Sequence, residues 1–154
     1  MVRPRPRAAD RNRYVAMASL TLEQHNGPTL TDPSWSAVEA ALRAVHPRDR
    51  GYFILSGEGS GYVQAAGARL RMICEWRRVN SDGSFQLFVL GHMQTGETLT
   101  SITTAAGVIR LQANEVLTLD DVLGIFKRFY ERREIPEQFI LREANGAPEG
   151  PATT

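Results

Sequence analysis

The chain has 154 residues, of which 42% are hydrophobic and 23% are charged, as in an ordinary soluble globular domain. Residues 1–13 contain five arginines and one aspartate, a balance of +4, which leaves −3 for residues 14–154 because the net charge is +1. A single cysteine excludes an internal disulfide and a cysteine-based zinc site. No apolar run approaches the length of a membrane span, and no apolar segment follows the basic N-terminus as in a secretory signal, so we expect a cytoplasmic protein.

The composition divides the chain into one folded domain and two flanking segments. Residues 1–13, rich in arginine and proline, predict a disordered basic arm. Residues 14–143 predict a single domain, and residues 144–154, rich in glycine, proline and threonine, predict a flexible tail. A basic arm can touch nucleic acid, but the mildly acidic domain has no nucleic-acid-binding motif, so we favour a solvated arm and no direct contact with nucleic acid.

The first predicted elements are a strand and a helix. Residues 14–22 alternate loosely in polarity, as in a strand, and an Asn-Gly-Pro turn follows at residues 26–28. Asp32 and Pro33 predict the helix start, with aspartate as the N-cap and proline at the first helical position. An apolar face at helical spacing comprises Trp35, Val38, Leu42 and Val45. This helix is expected to end before Pro47.

From residue 52 onward the pattern changes to short β-strands separated by turns. The predicted strands are residues 52–55, 62–66, 70–78 and 85–90, with a further hairpin formed by residues 101–104 and 108–112. An Asp82-Gly83 pair marks the turn before residues 85–90. In the 70–78 strand, alternation separates two faces: Leu70, Met72, Cys74 and Trp76 on one, and Arg71, Ile73, Glu75 and Arg77 on the other.

The last predicted helix has the clearest local signals. Thr118 is a favourable N-cap, and Asp121 three residues later can return a hydrogen bond to the cap. Its apolar stripe comprises Leu119, Val122, Leu123, Phe126, Phe129 and Tyr130. Pro136 is expected to stop the helix before a final strand at residues 139–141. Together, these elements predict an α+β domain with a mostly antiparallel sheet of five to seven strands and two helices packed on it.

Motifs for catalysis are weak along the whole chain. The glycine-rich residues 57–61 link two strands rather than entering a helix, so they favour a hairpin loop over a phosphate site. Ser60 lacks the Gly-x-Ser-x-Gly pattern, and Cys74 alternates with apolar residues as a core residue does. The histidines, which lack metal-binding spacing, are His25, His46 and His92. We therefore expect no catalytic residue, no cofactor and no metal.

Two stretches resemble the first immunity-protein family of bacterial polymorphic toxin systems. Residues 52–64 are similar to that family's strand, glycine-containing turn and second strand. Residues 116–126 are similar to its capped helix, which continues through the paired aromatic residues Phe129 and Tyr130 to residues 135–138 and the last strand. With the first helix, the resemblance spans residues 30–143. It implies a non-enzymatic inhibitor that occludes the active site of a cognate toxin, often a nuclease or a nucleic-acid deaminase.

The resemblance implies that the partner is the catalytic domain of that toxin, and we expect a monomer or a weak dimer that does not bind membranes. A mildly acidic domain suits a basic toxin that acts on nucleic acid, because opposite potentials speed association. Candidate interface residues, chosen by expected exposure and charge, are Glu58, Tyr62, Glu75, Arg77, Asp82 and Glu97. For Glu75 two interpretations stay open: ion pairs with Arg71 and Arg77 on a solvated sheet face, or a charged platform for a partner.

Two other functions compete with toxin inhibition. One is a small cytoplasmic α+β enzyme, in which Glu75 or His92 lines a pocket between the sheet and the helices. The other is a secretion adaptor or chaperone, which would bind a signal or unfolded segment of an effector instead of a folded catalytic domain.

Overall fold

A computed structural model describes residues 19–45, 47, 51–93 and 98–144. The predicted arm at residues 1–13 and all but the first residue of the predicted tail lie outside these ranges. The strands are β1 Leu20–Gln24, β2 Leu30–Thr31, β3 Gly51–Gly57, β4 Gly61–Ala68, β5 Arg71–Val79, β6 Phe85–Gly91, β7 Leu99–Thr104, β8 Gly107–Gln112 and β9 Ile140–Glu143. The helices are α1 Trp35–Arg43 and α2 Leu119–Arg132, and a short 3-10 turn spans Ala113–Glu115.

Seven strands form one antiparallel sheet. Their spatial order is β2-β1-β3-β4-β5-β6-β9, and each neighbouring pair runs antiparallel. Strands β7 and β8 form a separate two-stranded hairpin. The predicted α+β class, with a mostly antiparallel sheet and two helices, is confirmed.

The two helices cover one face of the sheet and form the main core with it. Side chains of β3, β4 and β5 that point to this face, such as Leu55, Val63 and Cys74, are fully buried. Phe126 and Phe129 of α2 are buried against them, as the predicted stripe requires. Burying one such side chain is worth roughly 1.5–3 kcal/mol, so this layer supplies most of the hydrophobic stabilisation.

The β7–β8 hairpin covers part of the opposite face, an arrangement that the sequence did not predict. Ile102 and Leu111 of the hairpin pack with Ile73 and Val89 of the sheet in a second, smaller core. Arg71 ties the two layers together, since its Nη2 donates to the Ser101 carbonyl oxygen at 3.1 Å. The hairpin therefore covers one portion of this face and leaves the rest uncovered.

The helix termini confirm one predicted cap and correct another. Thr118 and Asp121 form the predicted capping box of α2. The N-cap of α1 is Ser34, whose hydroxyl accepts from the Ala37 N–H at 3.1 Å. The predictions of Asp32 as the N-cap and Pro33 as the first helical residue were therefore wrong. The Asp32 carboxylate instead accepts from the Leu20 N–H at 3.1 Å, because the chain folds back there to pair β2 with β1.

Several further boundaries differ from the predictions, and three of these differences bear on the fold. The first described strand is Leu20–Gln24 instead of residues 14–22, and residues 14–18 lie outside the described ranges. Helix α2 ends at Arg132, before Pro136, because Arg133 adopts a left-handed conformation with φ 59°. Leu70 is 72% exposed and lies in the turn before β5, so it does not share the buried face with Met72 and Cys74.

Candidate protein-binding surface and hairpin cleft

The sheet face opposite the helices is open at one end. Antiparallel pairing brings the β3–β4 turn and the β5–β6 turn to the same end of the sheet. There Tyr62 of β4 lies directly across from Arg77 of β5, which in turn lies across from Leu87 of β6. The second core lies toward the other end, so the hairpin leaves this end of the face exposed.

Three side chains at this end form what we call the aromatic–arginine cluster: Tyr62, Arg77 and Phe85. The Arg77 guanidinium carbon lies 3.7 Å from the centre of the Phe85 ring and 5.8 Å from that of Tyr62. Phe85 is 50% exposed. A guanidinium over aromatic faces is held by cation–π attraction, so the cluster is an ordered surface rather than three independent side chains.

Two predicted acidic residues flank the aromatic–arginine cluster. Glu58 lies exposed in the β3–β4 turn and Asp82 in the β5–β6 turn. Hydrogen bonds from the Ser84 hydroxyl and backbone N–H hold the pKa of Asp82 below its usual value. Gly61 allows β4 to approach β5 here, because its φ is +83° and an added Cβ would lie 1.9 Å from the Arg77 carbonyl oxygen.

The structure thus gathers four of the six predicted interface residues at one end of the sheet: Glu58, Tyr62, Arg77 and Asp82. Glu75 is on the same face but one cross-strand row farther along, beside the hairpin. Glu97 lies outside the described residues. The prediction missed Phe85. A two-residue Asp82-Gly83 turn would pair Phe85 with Asn80, whereas the longer observed loop pairs it with Val79 and so places it on the same face as Arg77.

A cleft of about 250 Å³ lies between the sheet and the tip of the hairpin, and we call it the hairpin cleft. Its floor and walls are mostly apolar and include Tyr52, Ile54, Ala66, Ile73 and Ile109. The hairpin turn at residues 104–106 forms its outer side. Glu75 is the one charged side chain among the described residues that line it.

Glu75 is half-buried at the cleft, so the interpretation of a solvated residue paired with Arg71 and Arg77 was wrong. Burial raises its pKa, while a hydrogen bond with the Gln64 side chain and the charge of Arg142 oppose the rise. Arg71 instead binds a hairpin carbonyl and Arg77 lies over Phe85. The physical reason is the hairpin, which partly covers a row of side chains that alternation alone would leave open to solvent.

An ion pair with a buried carboxylate lies at the end of this row, where Arg142 is across from Val89. Arg142 of β9 binds Glu115 through two contacts, Nε to Oε2 at 2.8 Å and Nη2 to Oε1 at 3.0 Å. The Glu115 side chain is 2% exposed and that of Arg142 is 38% exposed. Glu115 also accepts from the Gln112 N–H at 2.7 Å. Arg142 is therefore already paired with the Glu115 carboxylate. The Glu75 carboxylate is a second and more distant negative charge near it.

The other candidate side chains have structural surroundings. His92 lies near Asp121, with 3.1 Å between Nε2 and Oδ2, and does not line the hairpin cleft. Since that cleft is on the face away from the helices, the predicted pocket location between sheet and helices was wrong for Glu75.

Cys74 is fully buried, which raises its pKa. No three metal-ligating side chains come together among the described residues, and His46 lies outside them.

No protein-family model matches this chain, and a comparison with curated proteins also finds no match. The resemblance to the first immunity-protein family therefore stays a prediction that rests on the quoted stretches. Within the described part of the chain, neither helix has the length and apolar character needed to cross a membrane.

Proposed function

We propose that this protein is an immunity protein that binds the catalytic domain of a cognate bacterial toxin and occludes its active site. The observation that carries the proposal is the aromatic–arginine cluster, which lies partly exposed on the uncovered end of a sheet face. The resemblance of residues 52–64 and 116–138 to the first immunity-protein family supports it independently.

The composition of the cluster is that of a binding hot spot. Tyrosine and arginine are enriched among the few residues that dominate the affinity of protein complexes. No described carboxylate forms an ion pair with Arg77. A partner that places a carboxylate or carbonyl oxygen at the guanidinium would give Arg77 a charge-assisted hydrogen bond.

The charge distribution favours a basic partner around this centre. Glu58 and Asp82 place carboxylates on the two turns that flank the cluster, and residues 14–154 carry a net −3. Enzymes that act on nucleic acid present positive surfaces to it, so acidic groups at the rim of this interface would steer such a toxin into place. A nuclease or nucleic-acid deaminase domain is therefore the proposed target.

The test is co-expression of the full chain with the toxin domain encoded by the neighbouring upstream gene, together with an affinity measurement. We expect the chain to protect cells and to bind the toxin one to one. Arg77→Ala should weaken the complex at least about 30-fold, which corresponds to about 2 kcal/mol.

Arg78→Ala is the matched control for this test. Arg78 is the next residue of β5 and also lies near two aromatic rings, those of Trp76 and Phe88, but it points to the opposite face. It should leave protection and affinity unchanged. The proposal fails for that pair if the toxin kills cells that contain the wild-type chain, and the assigned surface is wrong if the two arginine variants behave alike.

A further inference from the structure

The hairpin cleft combines two features of a small-molecule site. Its walls are apolar, with one aromatic ring and three isoleucines among them, yet a carboxyl group lies within it. A carboxylate removed from water is costly unless charges and hydrogen bonds compensate it. The groups near Glu75 therefore decide whether the protein itself compensates the charge of this carboxylate.

The protein compensates Glu75 only in part. Gln64, directly across on β4, supplies one neutral hydrogen bond. Arg142 is held by Glu115 through two contacts, and the remaining cross-strand neighbour, Val89, is apolar. Desolvation remains the largest influence on the carboxyl group. A cation inside the cleft would supply the missing charge.

We propose that the hairpin cleft binds a small organic cation, an ammonium or guanidinium group on an apolar body, with the Glu75 carboxylate pairing with the charge. The apolar body would lie against Tyr52, Ile54 and Ile109, where an aromatic or branched group buries more surface than a linear stem. The proposal is independent of toxin binding, because the cleft lies beside the aromatic–arginine cluster and not within it.

The size of the cleft limits the ligand. A volume of about 250 Å³ corresponds to roughly eight water molecules at about 30 Å³ each. That space can enclose an arylalkylamine of the size of an amino-acid side chain but not a whole nucleotide. A neutral molecule of the same shape would gain the apolar contacts but would leave the carboxylate uncompensated.

The test is titration of the full, isotope-labelled chain with phenethylamine and with 2-phenylethanol, its neutral counterpart, followed by NMR. We expect the amine to shift resonances of Ile54, Ala66 and Ile109 and to bind at least about tenfold more tightly than the alcohol, the usual effect of a charged hydrogen bond. Equal binding of the two probes, or shifts confined to another surface, would overturn the proposal.

Two variants test whether the amine binds to the Glu75 carboxylate or is attracted by the overall charge of the protein. Glu75→Gln keeps the shape of the side chain and should weaken amine binding at least about tenfold. Glu23→Gln is the matched control, since Glu23 is exposed and lies on the same face in the same cross-strand row; it should bind the amine as the wild type does. Wild-type affinity in Glu75→Gln would overturn the proposal.

A blocked lysine peptide distinguishes a free ligand from a side chain of a bound protein. It presents the same ammonium group on a linear stem attached to a backbone. We expect it to bind at least about tenfold more weakly than phenethylamine, because it buries less apolar surface against the walls. Equal or tighter binding of the peptide would assign the cleft to a protein side chain and overturn the free-ligand proposal.

Discussion

The two faces of the sheet differ although the same strands build both. On β4 and β5, Val63 and Cys74 point to the helices and are fully buried, while Tyr62 and Glu75 point the other way and stay partly exposed. Two amphipathic helices cover the first face with a continuous apolar layer. The hairpin covers only part of the second and leaves charged side chains beside apolar ones. Stability therefore resides mainly on the helix side, and binding capacity on the hairpin side.

The largest expected change in the free energy of unfolding comes from truncating one core residue on each side of the sheet. Phe126→Ala on the helix side should reduce the free energy of unfolding by about 3–5 kcal/mol, and Ile102→Ala on the hairpin side by about 2 kcal/mol, the low end for such changes. The reason is that the second core is small and can collapse more easily around a lost side chain. Urea denaturation measures both; equal losses would contradict the division of roles.

The Arg142–Glu115 pair tests whether the hairpin side tolerates an unpaired charge. Arg142→Met removes the partner of a carboxylate that is almost fully buried and should cost about 3 kcal/mol of unfolding free energy. Adding Glu115→Gln should recover part of that loss, because the amide keeps an acceptor for the Gln112 N–H and carries no charge. A double variant no more stable than Arg142→Met alone would show that the pair is not energetically coupled.

Glu75→Gln should change the free energy of unfolding least, and should raise it at pH 7 instead of lowering it. Because the folded-state pKa of Glu75 is raised above its ordinary 4.5, the native state binds the proton more tightly than the unfolded chain. Stability then falls as pH rises through the interval between the two pKa values. The variant should be more stable than the wild type at pH 7 and equally stable below the ordinary pKa. Chemical denaturation at the two pH values measures this, and a destabilised variant at pH 7 would refute it.

Local signals in the sequence predicted the helix side well. The capping box of Thr118 and Asp121 involves residues three positions apart, so its pattern is visible in the chain. The alternation of Met72 and Cys74 with Ile73 and Glu75 likewise fixed which residues share a face. The Asp82-Gly83 pair located the β5–β6 turn but not its register, since a two-residue loop would pair Asn80 with Phe85 and the structure pairs Val79 with Phe85.

Long-range contacts account for what the sequence did not predict. Asp32 resembles an N-cap, but its carboxylate binds a backbone N–H twelve residues away. Residues 101–104 and 108–112 predict a hairpin, yet nothing local indicates which face of the sheet it covers. Glu115 lies in a polar stretch typical of a loop, and its burial depends on an arginine that comes 27 residues later. Both the hairpin cleft and the buried pair depend on such contacts.

The buried Cys74 allows the rate at which the core between the helices and the sheet opens to be measured. It is the one cysteine in the sequence, has no exposed surface, and its raised pKa keeps it as the unreactive thiol. A thiol reagent can modify it only after the core between α2 and the sheet opens. The labelling rate of the natural chain therefore reports how often that core opens, with no engineered probe.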